Sequence, residues 1–261
     1  RQMCIRDSLR IRAAVQNEFI ETKIATLATK KIDNTHVKIY KDSNTIYDNT
    51  VPGVYTITER SQNNIGARHG GSESQSTKAT YAYFRIWNGE TLTENEVKRL
   101  YRNRSTIIGK VIKNNIEPIN PSYAWDFRDS TGSDTVYDSI SGLAARPVNA
   151  ETSSSKATST NEGMVLNGNY LNLDDFEFGP TITVELYANV SNKTSWERLM
   201  DIGHNSNSHS FSIYRENNTD TWNARYTNDR FYLKFRCYTT NSYTGWVHFV
   251  CVLQQISSTS S

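Results

Sequence analysis

The sequence predicts an all-β protein, and three observations support this. From Ala25 onward, short runs (KIATLAT, THVKIY, NTIYDN, GVYTIT, NNIGAR) alternate with turn clusters, which is the spacing of strands joined by short connections. His36 to Tyr40 alternates strictly, with Val37 and Ile39 on one face and His36, Lys38 and Tyr40 on the other, the period of a half-buried strand. Ser, Thr, Asn and Tyr are abundant, so the polarity of the chain comes from neutral hydrogen-bonding groups as much as from charge, as suits a β scaffold with an exposed polar surface.

In chain order, Lys41-Asp42-Ser43-Asn44 reads as the turn of a hairpin that begins with the His36–Tyr40 strand. Arg68 to Ala79 is rich in Gly and Ser and reads as a surface loop. Tyr81 to Tyr101, YAYFRIWNGETLTENEVKRLY, joins a strand to a short helix. Phe84 and Ile86 share one face of the strand, and Tyr83, Arg85 and Trp87 share the other. Thr93 is the predicted N-cap with Glu96 three positions on, a capping box, and Val97, Leu100 and Tyr101 follow at helical spacing on a helix expected to plug one end of the fold. Residues 107–121 carry two prolines and no clear period and form the expected linker. Residues 150–162, rich in Ser and Thr, read as another loop.

The Tyr81–Tyr101 stretch resembles the closing segment of laminin-G-like domains of the concanavalin A-like jelly-roll superfamily, a phrase of the form F-R-I-Y-N-x-x-L-T-x-x-E-V-x-x-L-Y. The second half resembles the opening of the same domain type. Ser122–Phe127 is similar to its W-D-F strand, and Thr135–Gly142 to its first turn. Gly163–Gly168 with Tyr170–Leu173 match its L-n-G-x-Y-l-x-L pair, and Pro180–Tyr187 its T-i-E-f-W strand. Arg198–Gly203 is similar to its r-l-f-d-i-G strand, and Gly245–Val250 to its W-x-H-v-a strand. Tyr187 stands where the family usually has Trp. The resemblance implies a jelly-roll β-sandwich with one short helix. Its parts would be the C-terminal portion of one domain at 9–106, the linker at 107–121, and the truncated N-terminal portion of a second at 122–261. The order 122–253 followed by 25–105 makes about one domain, so the expectation is a single permuted sandwich built from two half-modules, with two open half-sandwiches as the alternative. Residues 1–8, RQMCIRDS, resemble a translated sequencing adapter and are left out of the fold reasoning.

The charges nearly cancel at +2 and no Lys/Arg run occurs, so nucleic acid is not an expected partner. No apolar stretch approaches the roughly 18–20 residues of a membrane helix, so membrane insertion is not expected. With Cys4 set aside, Cys237 and Cys251 lie in neighbouring apolar runs and read as buried thiols or a cross-strand bridge. N-x-S/T sequons occur at Asn103, Asn189, Asn192 and Asn217.

The carboxylates and histidines of the chain do not fall into a catalytic pattern. A retaining glycosidase needs two carboxylates about 5–5.5 Å apart on one strand face, and Glu185 has only Thr183 and Tyr187 as same-face neighbours in its strand. Asp174, Asp175 and Glu177 fall in a turn, and Asp201, His204 and His209 lie in an Asn- and Ser-rich hairpin rather than at metal-ligand spacing. The chain is therefore not expected to be an enzyme. Asp126, Asp129, Asp134 and Asp138 offer oxygen donors of the kind calcium takes, as at the loop rims of some laminin-G-like domains; no other cofactor is expected. Trp222, Tyr226, Tyr232 and Tyr238, with Asn223 and Arg225, form the candidate ligand-binding set, since exposed rings stack sugars and amides and guanidinium groups bond their hydroxyls. Trp125, Trp246 and Phe249 read as structural. The expected function is a non-catalytic module that recognises a glycan or an extracellular protein, within a larger extracellular, cell-surface or virion-surface protein. A structural or virion-surface spacer repeat and an accessory domain of a carbohydrate-active enzyme are the alternatives.

Overall fold

A computed structural model of the chain describes residues 32–52, 58–60, 62–67, 77–104, 120–128, 135–148, 157–190, 197–203, 210–215, 222–227, 232–237 and 245–258. These form two eight-stranded antiparallel sheets, as the period-two patterns predict. The first sheet runs β2 (Asn44–Pro52), β1 (Ile32–Lys41), β18 (Gly245–Ser258), β13 (Ile182–Val190), β5 (Lys78–Asn88), β10 (Gly163–Asn167) and β9 (Thr158–Thr160), with β6 (Tyr123–Asp126) also paired to β5. The second runs β17 (Tyr232–Cys237), β16 (Trp222–Thr227), β15 (Ser210–Arg215), β14 (Arg198–Gly203), β4 (Gln62–Ile65), β11 (Tyr170–Leu173), β8 (Ala144–Val148) and β7 (Val136–Tyr137). A separate two-stranded ribbon pairs β3 (Thr58–Arg60) with β12 (Phe176–Phe178).

Strands from the two sides of residues 105–119 are interleaved in both sheets. β5 lies between β13 and β10, β4 lies between β14 and β11, and β1 pairs with β18 along ten residues from Ile32↔Ser258 to Lys41↔Phe249. The two sequence segments therefore build one sandwich. The predicted turn between β1 and β2 is present, with Asp42 and Ser43 both at positive φ (49° and 66°), as a two-residue hairpin matched to strand twist requires. Lys78 and Ala79, expected in a loop, already belong to β5, and β9 occupies part of the expected loop at 150–162.

Alternation puts one apolar row of the central strands between the sheets. Val247, Phe249, Cys251 and Leu253 of β18 and Ile182, Val184 and Leu186 of β13 face Met200, Ile202, Phe211, Ile213 and Trp222 from the second sheet in one continuous core. Each such side chain contributes roughly 1.5–3 kcal/mol on burial. Gly163 shows how closely the strands approach: its φ is +142°, and a Cβ there would collide with the carbonyl of Tyr81 on β5.

Helix α1 (Glu94–Arg102) carries the predicted capping box in full, with Glu96 N donating to Thr93 Oγ1 at 3.3 Å and Thr93 N to Glu96 Oε2 at 2.7 Å. It does not plug an end of the sandwich. It lies on the outer face of the first sheet, where Leu92, Val97 and Leu100 pack on Tyr40, Trp87, Val250 and Val252. The buried Thr183 hydroxyl on β13 anchors its approach by donating to Glu90 O (3.1 Å) and accepting from Leu92 N (3.1 Å).

Candidate functional site

Among the described residues singled out from the sequence, Trp222 does not share a face with Asn223 and Arg225. Trp222 is 1% exposed and belongs to the core, its ring 5.2 Å from Phe249 in an edge-on contact and its face under the Arg215 guanidinium. It offers no face to a sugar, because alternation turns it inward. Asn223 and Arg225 point to the opposite side of the second sheet. There the register aligns Asn172, Asn64, Asp201, Ser212 and Arg225 in one wholly polar row across five strands. Asn64, Asp201 and Ser212 are buried, so this row is an internal polar layer at its centre, and Asn223 is buried on the same side of the sheet. Tyr226 pairs with Phe211 and Tyr232 with Thr227 in the register, while Tyr238, Asp129, Asp134, His204 and His209 lie outside the described residues.

The two described calcium candidates have their oxygens engaged. Asp138 accepts from Ile140 N (3.2 Å), Ser141 N (2.6 Å), Ala124 N and the Ser141 hydroxyl, which makes it the organiser of its turn. Asp126 forms a two-pronged pair with Arg128, at 2.9 Å from Nε to Oδ1 and 2.7 Å from Nη2 to Oδ2. No group of three or more His, Cys, Asp or Glu suited to a metal occurs among the described residues.

A different constellation assembles on the outer face of the first sheet, beside the end of α1. Its floor is Glu185, which with His248 and Tyr83 has no solvent exposure. Glu185 Oε1 is 2.7 Å from His248 Nε2 and accepts from the Tyr83 hydroxyl at 3.2 Å, and Oε2 accepts from Arg85 Nη1 at 3.1 Å. β13 and β18 each supply one outward position of the group and β5 supplies two, and a bulge in β5 at Ala82 keeps Tyr83 on the outer face while Tyr81 enters the core.

Burial raises the Glu185 carboxyl pKa, but the Arg85 charge, the His248 contact and the Tyr83 hydroxyl together outweigh it and hold the value below the usual glutamate range. An ionised carboxylate only accepts, so Nε2 of His248 carries the hydrogen that binds it. The Tyr83 phenol moves the other way: burial first, then the Glu185 charge, push it well above the ordinary tyrosine value. The sealed carboxylate cannot meet a substrate, and its work is to fix its three neighbours.

Those neighbours carry an aromatic platform. Tyr187 and Trp246, both half-buried, stack at 4.7 Å with 28° between their planes. Tyr187 is also 5.6 Å from Tyr83 and 6.4 Å from His248, whose ring is 5.6 Å from Tyr101 on α1. Arg104 lies 3.9 Å over the Tyr101 ring, and its carbonyl accepts from Arg128 Nη1, which in turn stands 5.3 Å over Tyr83. The contacts close a circuit, so these groups form one patch whose partly exposed members, Tyr187, Trp246, Tyr101 and Arg104, are joined through the buried Tyr83 and His248. Asn189 adds an amide beside Trp246, its partner in the register.

Sequence reasoning missed this patch. Trp246, read as structural, is half-buried at the surface of it, and Glu185 was read by its own strand alone. The available signal was the outward parity shared by Tyr83, Arg85, Tyr187, Trp246 and His248, but it is informative only once the strand order is known. In comparison with known proteins, the chain matches no protein-family model, no curated protein and no solved structure.

Proposed function

We propose that the protein is a non-catalytic recognition module that binds glycans through the outer face of its first sheet, as part of a larger extracellular or surface protein. The observation that supports this most is the stacked, half-buried Tyr187–Trp246 pair, held on a rigid floor by the Glu185 network. Flat rings displace little conformational entropy when a sugar ring covers them, and their polarised faces attract its C–H groups. Arg85, Arg104 and Asn189 at the margin supply the directional hydrogen bonds that select among sugars. The polar, Ser-, Thr- and Asn-rich surface suits an extracellular setting.

A glycan array followed by calorimetric titration of the bound glycans tests the reading. Trp246→Ala and Tyr187→Ala are each expected to weaken binding at least about tenfold, on the order of 1.4 kcal/mol, with the cooperative unfolding transition retained. A folded protein that binds no glycan, or glycan binding indifferent to both substitutions, overturns it; silence on every glycan returns the chain to the spacer reading.

A further inference from the structure

The charges around the patch narrow what it takes, and this step rests on the recognition site proposed above. Three described carboxylates border the patch, and each has a cation: Glu185 with Arg85 at 3.1 Å, Asp126 with Arg128 at 2.7 Å, and Asp42, which accepts from His248 N, with Lys41 at 3.3 Å. Arg104 is the exception. Its guanidinium stacks on Tyr101 and donates one N–H to Tyr101 O at 2.7 Å, and no carboxylate among the described residues pairs with it. A guanidinium has five donors in a fixed fork, so four remain for other acceptors.

Arg104 is also held in place. The contact with the Tyr101 ring and the hydrogen bond to Tyr101 O restrain its fork, and the hydrogen bond from Arg128 to its carbonyl ties the backbone just after α1 to β6 and the segment that follows it. A cation over a ring face interacts more strongly when half-buried than when free in water, and a pre-set fork loses little freedom when an anion that presents two acceptor oxygens docks. We infer that the site selects acidic glycans, with sugar rings stacked on Tyr187 and Trp246 and a carboxylate or sulfate group of the same chain paired by Arg104. Neither Lys nor a neutral donor at 104 would reproduce that two-point pairing.

The test measures affinity for an oligogalacturonate, for the neutral galactan oligosaccharide of equal length, and for its sulfated form, at low and high salt. The acidic chains are expected to bind at least tenfold more tightly at low salt, with the advantage shrinking as salt rises. Arg104→Ala and Arg104→Gln should each bring the acidic chains down to the affinity of the neutral one, and Arg104→Lys should keep part of the difference. Arg146→Ala, which removes an exposed charge from the second sheet, should keep all of it. Equal binding of acidic and neutral chains, or a preference that survives Arg104→Ala, overturns the inference. If neutral chains still bind and Trp246→Ala abolishes that binding, only the charge assignment fails; if no glycan binds, the recognition site fails with it.

Discussion

Glu185 is the residue on which the outer face of the first sheet is organised, and pH gives a direct handle on it. Its folded-state value is depressed, so its contribution is complete above the unfolded carboxyl value, about 4.3, and is lost as pH falls through the lower folded value. Removing one partner of a buried pair typically costs about 3–5 kcal/mol, because Arg85 would be left without its counter-charge. Glu185→Gln should therefore lower stability by about that amount near pH 7 and flatten the acid limb of the stability curve below about pH 4.3. Urea unfolding between pH 3 and 7 reads both, and parallel acid limbs in the two proteins would refute the assignment. Little of this residue's role was legible beforehand. Alternation correctly placed Thr183 and Tyr187 on its face, but its partners Tyr83, Arg85 and His248 lie 102, 100 and 63 residues away and only the folded register brings them near.

Helix α1 shows which features of an element a sequence encodes locally. The capping box needs only residues three apart, so Thr93 and Glu96 were legible at once and are formed as expected. The apolar stripe of Val97 and Leu100 says that one side is covered but not by what, and the surface that covers it is made by β1, β5 and β18, from distant parts of the chain. Thr93→Ala removes an N-cap and should cost about 1 kcal/mol. Because the loss acts at the start of the helix, it should loosen Tyr101 over His248 as well, read as faster amide exchange across Glu94–Arg102. An unchanged unfolding midpoint and exchange profile would show that packing alone holds the helix. The β1–β2 hairpin was equally legible, since Asp42 and Ser43 are turn residues by chemistry.

At the scale of the molecule, the sequence led to an all-β sandwich and to the idea that its second segment precedes its first in spatial order. The pairing of β1 with β18 bears on that idea directly. The end of β18 and the start of β1 lie opposite each other, Ser258 against Ile32, in antiparallel register. A rearranged chain running from 120 to 258, through a short turn, to 32–104 needs no strand to move. It should fold to the same sheets with a single cooperative transition, and circular dichroism with denaturant unfolding checks it; an aggregated or non-cooperative product would show that the connection through 105–119 is required. Chain rearrangements of this kind are tolerated where ends are close and exposed. What the sequence could not supply was the interleaving itself, because β4 and β5 each enter between two strands of the second segment, β14 and β11 for the one and β13 and β10 for the other.

The same β1–β18 ladder has a mechanical consequence. Force that enters at Ile32 and leaves at Ser258 arrives at one end of ten paired residues and pulls across the strands, not along them. The bonds are loaded one after another, as in a zipper, instead of all together in shear. A module tethered through these two strands would yield to small forces by peeling β1 away first, taking with it Tyr40, one of the side chains on which α1 rests. Tension would thus loosen the support beneath Tyr101 and Arg104 before it reached the far end of β18, which carries Trp246, or the neighbouring β13, which carries Tyr187.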